Sequence, residues 1–308
     1  MGVLLIAATI VAAVAVGVYA ERRRPLAAGL AARRALTLIL YGLLPPVIFF
    51  NLASSRLDVG EGVGLGLGIV AVALAALLAW WVATRVLRLA PPRSGAVVSA
   101  VLCINTGYLG YPLTVALLGR HKLPTAVLYD VLVSGPSLLL GAFAVGAAFG
   151  TEAGEGPRDR VRAFFTRNPP LYAAVAGLLA PRALAPHLLV DASQILVVAI
   201  LPIGFFAVGA TLAENAEHGE LPTPVPPLSR PVALALVSRL AIAPALLMLL
   251  AAPFIHLPAA YRLLSAMPTG LNSMVVAHAY GLDMEITAEA VTWSTAIAVA
   301  VALASLLF

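Results

Sequence analysis

Apolar residues run along this chain in long blocks, without the alternation of a half-buried strand or the stripe of a surface helix, and short polar clusters separate the blocks. Ten segments result, at about 2–19, 34–54, 62–87, 95–118, 124–149, 169–189, 192–213, 231–253, 258–280 and 285–307. Most reach the length that a helix needs to cross a hydrocarbon core. The sixth is the weakest, because Pro181, Arg182 and Pro186 interrupt it. The longest hydrophilic stretch, Thr151 to Asn168, divides the chain almost in half. The pattern predicts an all-α polytopic membrane protein of ten transmembrane helices. A first five-helix repeat covers 1–150, a cytoplasmic linker 151–168 and a second five-helix repeat 169–308.

Two segments break the pattern at their centres. Segment 4 contains Asn105-Thr106-Gly107-Tyr108-Leu109-Gly110-Tyr111-Pro112, and segment 9 contains Pro268-Thr269-Gly270-Leu271-Asn272-Ser273. Proline removes a backbone donor, and glycine lowers the cost of leaving helical geometry. Opened backbone at membrane depth is tolerated only where it lines a protein cavity. A matched pair of interruptions, one per half, points to the substrate site of a secondary transporter. The amides freed at Thr106, Gly107, Tyr108, Thr269 and Gly270, with the side chains of Asn105, Asn272 and Ser273, suit a carboxylate without a buried cation. Pro112 and Pro268 are the crossover elements. The alternative reading of either break is a plain kink with its asparagine satisfied by a neighbouring carbonyl.

Five segments per half makes the halves inverted repeats if they are homologous. Pro46-Val47-Ile48-Phe49-Phe50 in segment 2 matches Pro202-Ile203-Gly204-Phe205-Phe206 in segment 7, and Thr106-Gly107 in segment 4 matches Thr269-Gly270 in segment 9. The matches fall in order at equivalent segments, as inverted repeats around a midplane site require.

Composition excludes a soluble protein: the chain is 61% hydrophobic and 11% charged, with a mean hydropathy of +1.00. The net charge of +5 does not indicate nucleic acid, because the basic residues sit in short loops. Arg22, Arg23 and Arg24 follow the first apolar run, the reverse of a signal peptide's charge order, so it is expected to remain as the first span. With both termini outside the cytoplasm, thirteen of the Lys and Arg residues fall in cytoplasmic loops and five outside. The expected location is the inner, cytoplasmic membrane, with the lipid bilayer as partner. A single cysteine, Cys103, excludes an intrachain disulfide or a cysteine metal cluster, and no metal site is expected.

Ionisable residues inside segments are site candidates. Asp130 lies within segment 5, with Ser134 and Ser137 after it at helical spacing; it could carry a coupling proton or help bind Na+, or be a structural partner near the interface. Arg239, near mid-depth in segment 8, attracts an anion or braces two helices. His278 ends segment 9, and Glu289 with Glu285 makes a polar stripe opening segment 10; proton relay and a solvated end explain both. Asn51, Ser54 and Ser55 face the cavity rim or cap segment 2. No nucleotide-binding loop, H-E-x-x-H or nucleophile elbow is present, so neither direct ATP use nor an enzyme is expected, and no cofactor beyond a coupling ion.

The pattern N-T-x-x-x-G-x-P-L at Asn105 to Leu113 resembles the fourth-helix crossover of the auxin efflux carrier family. Ser238-Arg239-Leu240 followed by Pro244 resembles that family's eighth helix, and Met267-Pro268-Thr269-Gly270 with Ala277-His278-Ala279-Tyr280-Gly281 its ninth. Leu201-Pro202 with Gly209 and Leu212 fits the seventh. The short central loop fits the bacterial branch. The resemblance implies broken, crossing helices 4 and 9. It implies a scaffold from helices 1, 2, 6 and 7 beside a mobile transport domain from helices 3–5 and 8–10, often in a homodimer. It implies organic anions as substrates, with Asn105 as a carboxylate-binding residue. Asn272-Ser273 departs from the plant pattern and hints at a smaller or more polar ligand.

The leading expectation is therefore a carrier that moves a small organic anion by alternating access. A sodium-coupled symporter of the bile-acid type predicts more carboxylates and amides beside the crossover than this chain has. A membrane anion sensor that does not transport would need an output domain, which the sequence does not display.

Overall fold

The computed structural model describes residues 3–54, 62–154, 156–216 and 228–304. Ser55, Arg56, the Asn51 side chain and the outer ends of segments 1 and 10 lie outside the described residues. All ten predicted segments contain helix, and among the described residues there is no strand. Among the described residues, five helices are long and apolar enough to cross a membrane: Pro25–Ser54, Gly62–Val86, Thr125–Phe149, Arg230–Ala251 and Met284–Ala302.

Two boundaries differ from the sequence expectation. Segment 2 begins at Pro25 rather than near residue 34, because Arg24 turns out of helical geometry and proline suits a first helical turn. Segment 6 is the helix Pro169–Leu179 alone, too short to cross a bilayer unaided. Pro181 and Pro186 bound a short 3-10 turn at Arg182–Leu184, and the next helix already starts at His187 and runs to Ala216. Proline withholds the donors that would have joined the two helices.

Proline also explains four of the places where the long helices widen; the wide turns Val82–Val86 and Ser137–Ala142 have no proline two residues beyond them. Wide π turns occupy Ile39–Leu43, Thr106–Gly110, Asp130–Ser134 and Ser238–Ile242. A proline follows each at the same distance: Pro45, Pro112, Pro136 and Pro244. The ring displaces the carbonyl one turn back and offers no N–H, and a turn wider by one residue absorbs the mismatch.

Segment 3 shows how the helices pack. Its buried face carries Gly64, Gly68, Ala71, Ala75 and Ala79, while Val70, Leu74 and Leu77 are exposed. Small residues inside and large apolar ones outside suit helices that meet each other closely and present their bulk to lipid. Segments 1, 2, 6 and 7 pack on one another, segment 1 running along segment 7 and segment 6 along the end of segment 2. Segments 3, 4, 5, 8, 9 and 10 pack as a second group. In the first group, a Cβ on Gly209 would lie 2.2 Å from the Val14 carbonyl oxygen, and one on Gly17 2.2 Å from that of Phe206. Gly209→Val is expected to cost roughly 1–3 kcal/mol by forcing the two helices apart. Thermal unfolding in detergent checks it, with Gly29→Ala, which meets nothing within 4 Å, as the control that loses no stability.

The stretch between the halves is not a bare tether. It contains the helix Pro157–Thr166, and its basic residues close helix ends. Arg160 donates to the carbonyls of Ala147 and Ala148 at the end of segment 5. Arg167 donates to Ala279 at the end of segment 9, 2.6 Å away. Orphan C-terminal carbonyls accept such cations readily. Asn168 caps segment 6 by accepting from Leu171 N–H and donates to Leu139.

Candidate functional site

Both interrupted segments are broken helices. Segment 4 is Pro91–Leu102 and Tyr111–Leu118, joined through Cys103–Asn105 and the π turn Thr106–Gly110. Segment 9 is Ala259–Ser265 and Asn272–Tyr280. The two breaks meet. Ile104 and Thr269 form an antiparallel bridge, with Asn105 N–H donating to Pro268 at 2.9 Å and Gly270 N–H to Cys103 at 2.8 Å. Glycine at 270 lets the two strands approach closely: a Cβ there would sit 3.2 Å from the Ile104 oxygen.

The crossing consumes some of the amides that the sequence reading left free. Asn105 and Gly270 N–H bond across it, and Thr269 N–H donates to Ser294 Oγ at 3.1 Å. The amides of Thr106, Gly107 and Tyr108, first in their half-helix, donate to nothing among the described residues. Asn105 accepts from Leu109 N–H through Oδ1, and its Nδ2 is buried without a partner. Asn272 Oδ1 is likewise unpartnered. Such atoms carry a desolvation cost unless something fills the space beside them.

That space is a cavity of about 430 Å³ between the two helix groups. One wall is polar and comes from segments 4, 5 and 9: Asn105, Thr106, Gly107, Tyr108, Tyr111, Asp130, Ser134, Gly270 and Asn272. The other is aliphatic and comes from segments 2 and 6, through Leu44, Val47, Ile48, Leu171, Val175 and Leu178. Among the described residues no Lys, Arg or His lines it, and Asp130 is the one carboxylate.

Asp130 sits at the head of a hydroxyl relay. Thr106 Oγ1 donates to Asp130 Oδ1, and Tyr111 OH donates to Oδ2 at 2.5 Å. Thr106 and Ser134 hydroxyls are 3.0 Å apart. Thr106 has one proton, so with that proton on Asp130 it is Ser134 that donates to Thr106. The order is Ser134 to Thr106 to Asp130, with Tyr111 closing the other side. The single ion pair among the described residues, Arg93 with Asp283 at 3.3 Å, is elsewhere. No cluster of metal-binding side chains occurs among the described residues.

Of the residues expected at the site, the cavity takes in Asn105, Thr106, Gly107, Tyr108, Gly270, Asn272 and Asp130, and leaves out several others. Thr269 Oγ1 donates to Ala100 and Ser273 Oγ to Gly270, so both hydroxyls serve the crossing. Ser273 therefore does not line the cavity, whereas Asn272 beside it does. Pro112 starts the second half of segment 4, and Pro268 supplies a carbonyl to the crossing. Arg239 is fully buried and does not line the cavity. His278 Nε2 lies 3.0 Å from Thr37 Oγ1, tying segment 9 to segment 2 outside the cavity. Sequence reasoning missed Tyr111, although it stands within the break. Nothing local marks it as a partner of Asp130.

Residues 163–305, just under half of the chain, match the family model described as membrane transport protein. Over this stretch the match agrees with the resemblance to the auxin efflux carrier family. The matched family is one of membrane transporters, and the apolar helices suit a multi-pass membrane protein. No curated protein matches the chain. The matched stretch holds segments 6–10 and hence the second break. Asn105 and Asp130 lie ahead of it, and the crossing joins their part of the chain to the matched stretch.

Proposed function

We propose that this transporter is a secondary carrier for a small organic anion, a carboxylate with an apolar body, which enters together with one proton on Asp130. The observation that carries the reading is the paired crossing of two broken helices, with unspent amides on a cavity that contains no basic side chain. The second half-helices begin at this cavity, so their positive ends favour a negative solute. The carboxylate would accept from the Thr106, Gly107 and Tyr108 amides and Asn105 Nδ2, while the hydrocarbon part lies on the Leu44, Val47 and Leu171 wall. A cavity of this size suits a compact organic molecule.

Charge then dictates coupling. Two carboxylates side by side cannot both be ionised. Asp130 faces the hydroxyls of Thr106, Ser134, Tyr108 and Tyr111 and no cation, so a bound anion requires Asp130 to be protonated. Segments 1, 2, 6 and 7 serve as scaffold in this reading, and segments 3–5 and 8–10 move the site between the two sides of the cytoplasmic membrane, as inverted repeats permit.

Vesicles containing the purified protein test this with labelled aliphatic and aromatic monocarboxylates. Uptake should rise with an inwardly directed proton gradient and remain unchanged when choline replaces sodium. Binding with no translocation would favour a sensor, and sodium-driven uptake a symporter of the bile-acid type. A second reading has one observation behind it: the cavity's only carboxylate is negative and stands beside two tyrosines, as an organic ammonium would prefer. Accumulation of ammonium solutes but not carboxylates would replace the proposal with that one.

A further inference from the structure

Arg239 is the largest fully buried side chain, at 0% exposure, and has no acidic partner among the described residues. An unpaired buried charge is costly, so its compensation must lie elsewhere. It lies in backbone oxygen. Nη1 donates to Val101 at 3.1 Å and Nη2 donates to Ser265. These carbonyls belong to the last turns of Pro91–Leu102 and Ala259–Ser265, the first halves of the two broken helices. Carbonyls there have lost their intrahelical donors because the helices stop. Each such end carries about half a negative charge, and two together balance one guanidinium. The planar fork of arginine can serve two separate carbonyls and cannot lose its charge.

We propose that Arg239 is the resident cation of the crossing: its fixed charge holds the two carbonyl ends together where oxygen ligands would otherwise call for a metal ion, so the crossing assembles without sodium. The division of labour is then complete. The negative ends of the first half-helices share Arg239, and the amides of Thr106, Gly107 and Tyr108 at the start of segment 4's second half stay free for cargo. Arg239 is a positioning residue, and this role is independent of what is carried.

The bridge supplies the readout. Ile104 and Thr269 are a non-hydrogen-bonded antiparallel pair, the closer of the two pair types, which places Cys substitutions there within disulfide range. The full chain carrying Ile104→Cys, Thr269→Cys and Cys103→Ala is oxidised in detergent, in sodium chloride or choline chloride. Equal cross-linking in the two salts is expected. With Arg239→Lys added, most of the cross-linking should persist. With Arg239→Met, similar in bulk but uncharged, it should fall several-fold and recover in part with millimolar guanidinium. Cross-linking that needs sodium with Arg239 present, or an Arg239→Met protein that cross-links as well as its parent, would overturn the proposal. If the Met variant recovers only as aggregate, the salt comparison and the Lys variant decide the matter.

Discussion

Asp130→Asn is expected to abolish proton-driven accumulation while leaving exchange of cargo across the membrane intact. Asparagine has the shape of the protonated aspartate and keeps an acceptor for Thr106, and the Tyr111 hydroxyl can turn from donor to acceptor. The loaded site therefore stays assembled, but no proton accompanies the anion. One pH unit is worth about 1.4 kcal/mol per proton, or roughly tenfold accumulation. The wild-type protein should gain that factor for each unit of inward gradient and the variant none. Binding gives the sign independently. Wild-type affinity should weaken as pH rises and Asp130 ionises beside the anion, whereas the variant should bind equally across the same range. Calorimetric titration of the purified protein with a transported carboxylate measures this. A variant that still concentrates cargo under a proton gradient would remove Asp130 from coupling.

Asn105→Ala is expected to weaken cargo binding without dismantling the crossing. The backbone N–H of Asn105 makes the cross-strand bond to Pro268 and survives the substitution. What disappears is Nδ2, which has no protein partner, and the Oδ1 cap on Leu109 N–H. A hydrogen bond to a charged group is worth roughly 1.5–3 kcal/mol. Affinity should therefore fall about ten- to hundredfold. Asn272→Ala should lose less, because Asn272 contributes one neutral polar group to the cavity. The disulfide readout across Ile104 and Thr269 separates lost contact from lost fold: cross-linking should match that of the parent in both alanine variants. Unchanged affinity in Asn105→Ala, with the crossing intact, would rule this side chain out as a ligand.

Much of the site was legible because each break is a local deficit. Gly107, Gly110 and Pro112 in one segment, and Pro268 and Gly270 in the other, weaken helix locally, and the chain leaves helical geometry beside them, at Cys103–Asn105 and after Ser265. Asp130 stood out because a carboxylate in an apolar run is costly anywhere. Segment 6 was read too long for the opposite reason: its apolar composition continues past Leu179, and only the paired prolines at 181 and 186 end it. The π turn before each of Pro45, Pro136 and Pro244 went unseen, since a proline can also kink or end a helix.

The sequence alone determined an all-helical membrane protein, the positions of both interruptions and the residues that could be polar there. These follow from the cost of burying charge and from backbone chemistry, which each segment carries within itself. The tertiary structure decided which groups are spent and which remain. Thr269 and Ser273 close the crossing, Arg239 joins two helix ends instead of meeting an ion, and Tyr111 finds Asp130. A donor's fate depends on which acceptor lies within about 3 Å. For partners in different segments that distance is set only when the helices pack.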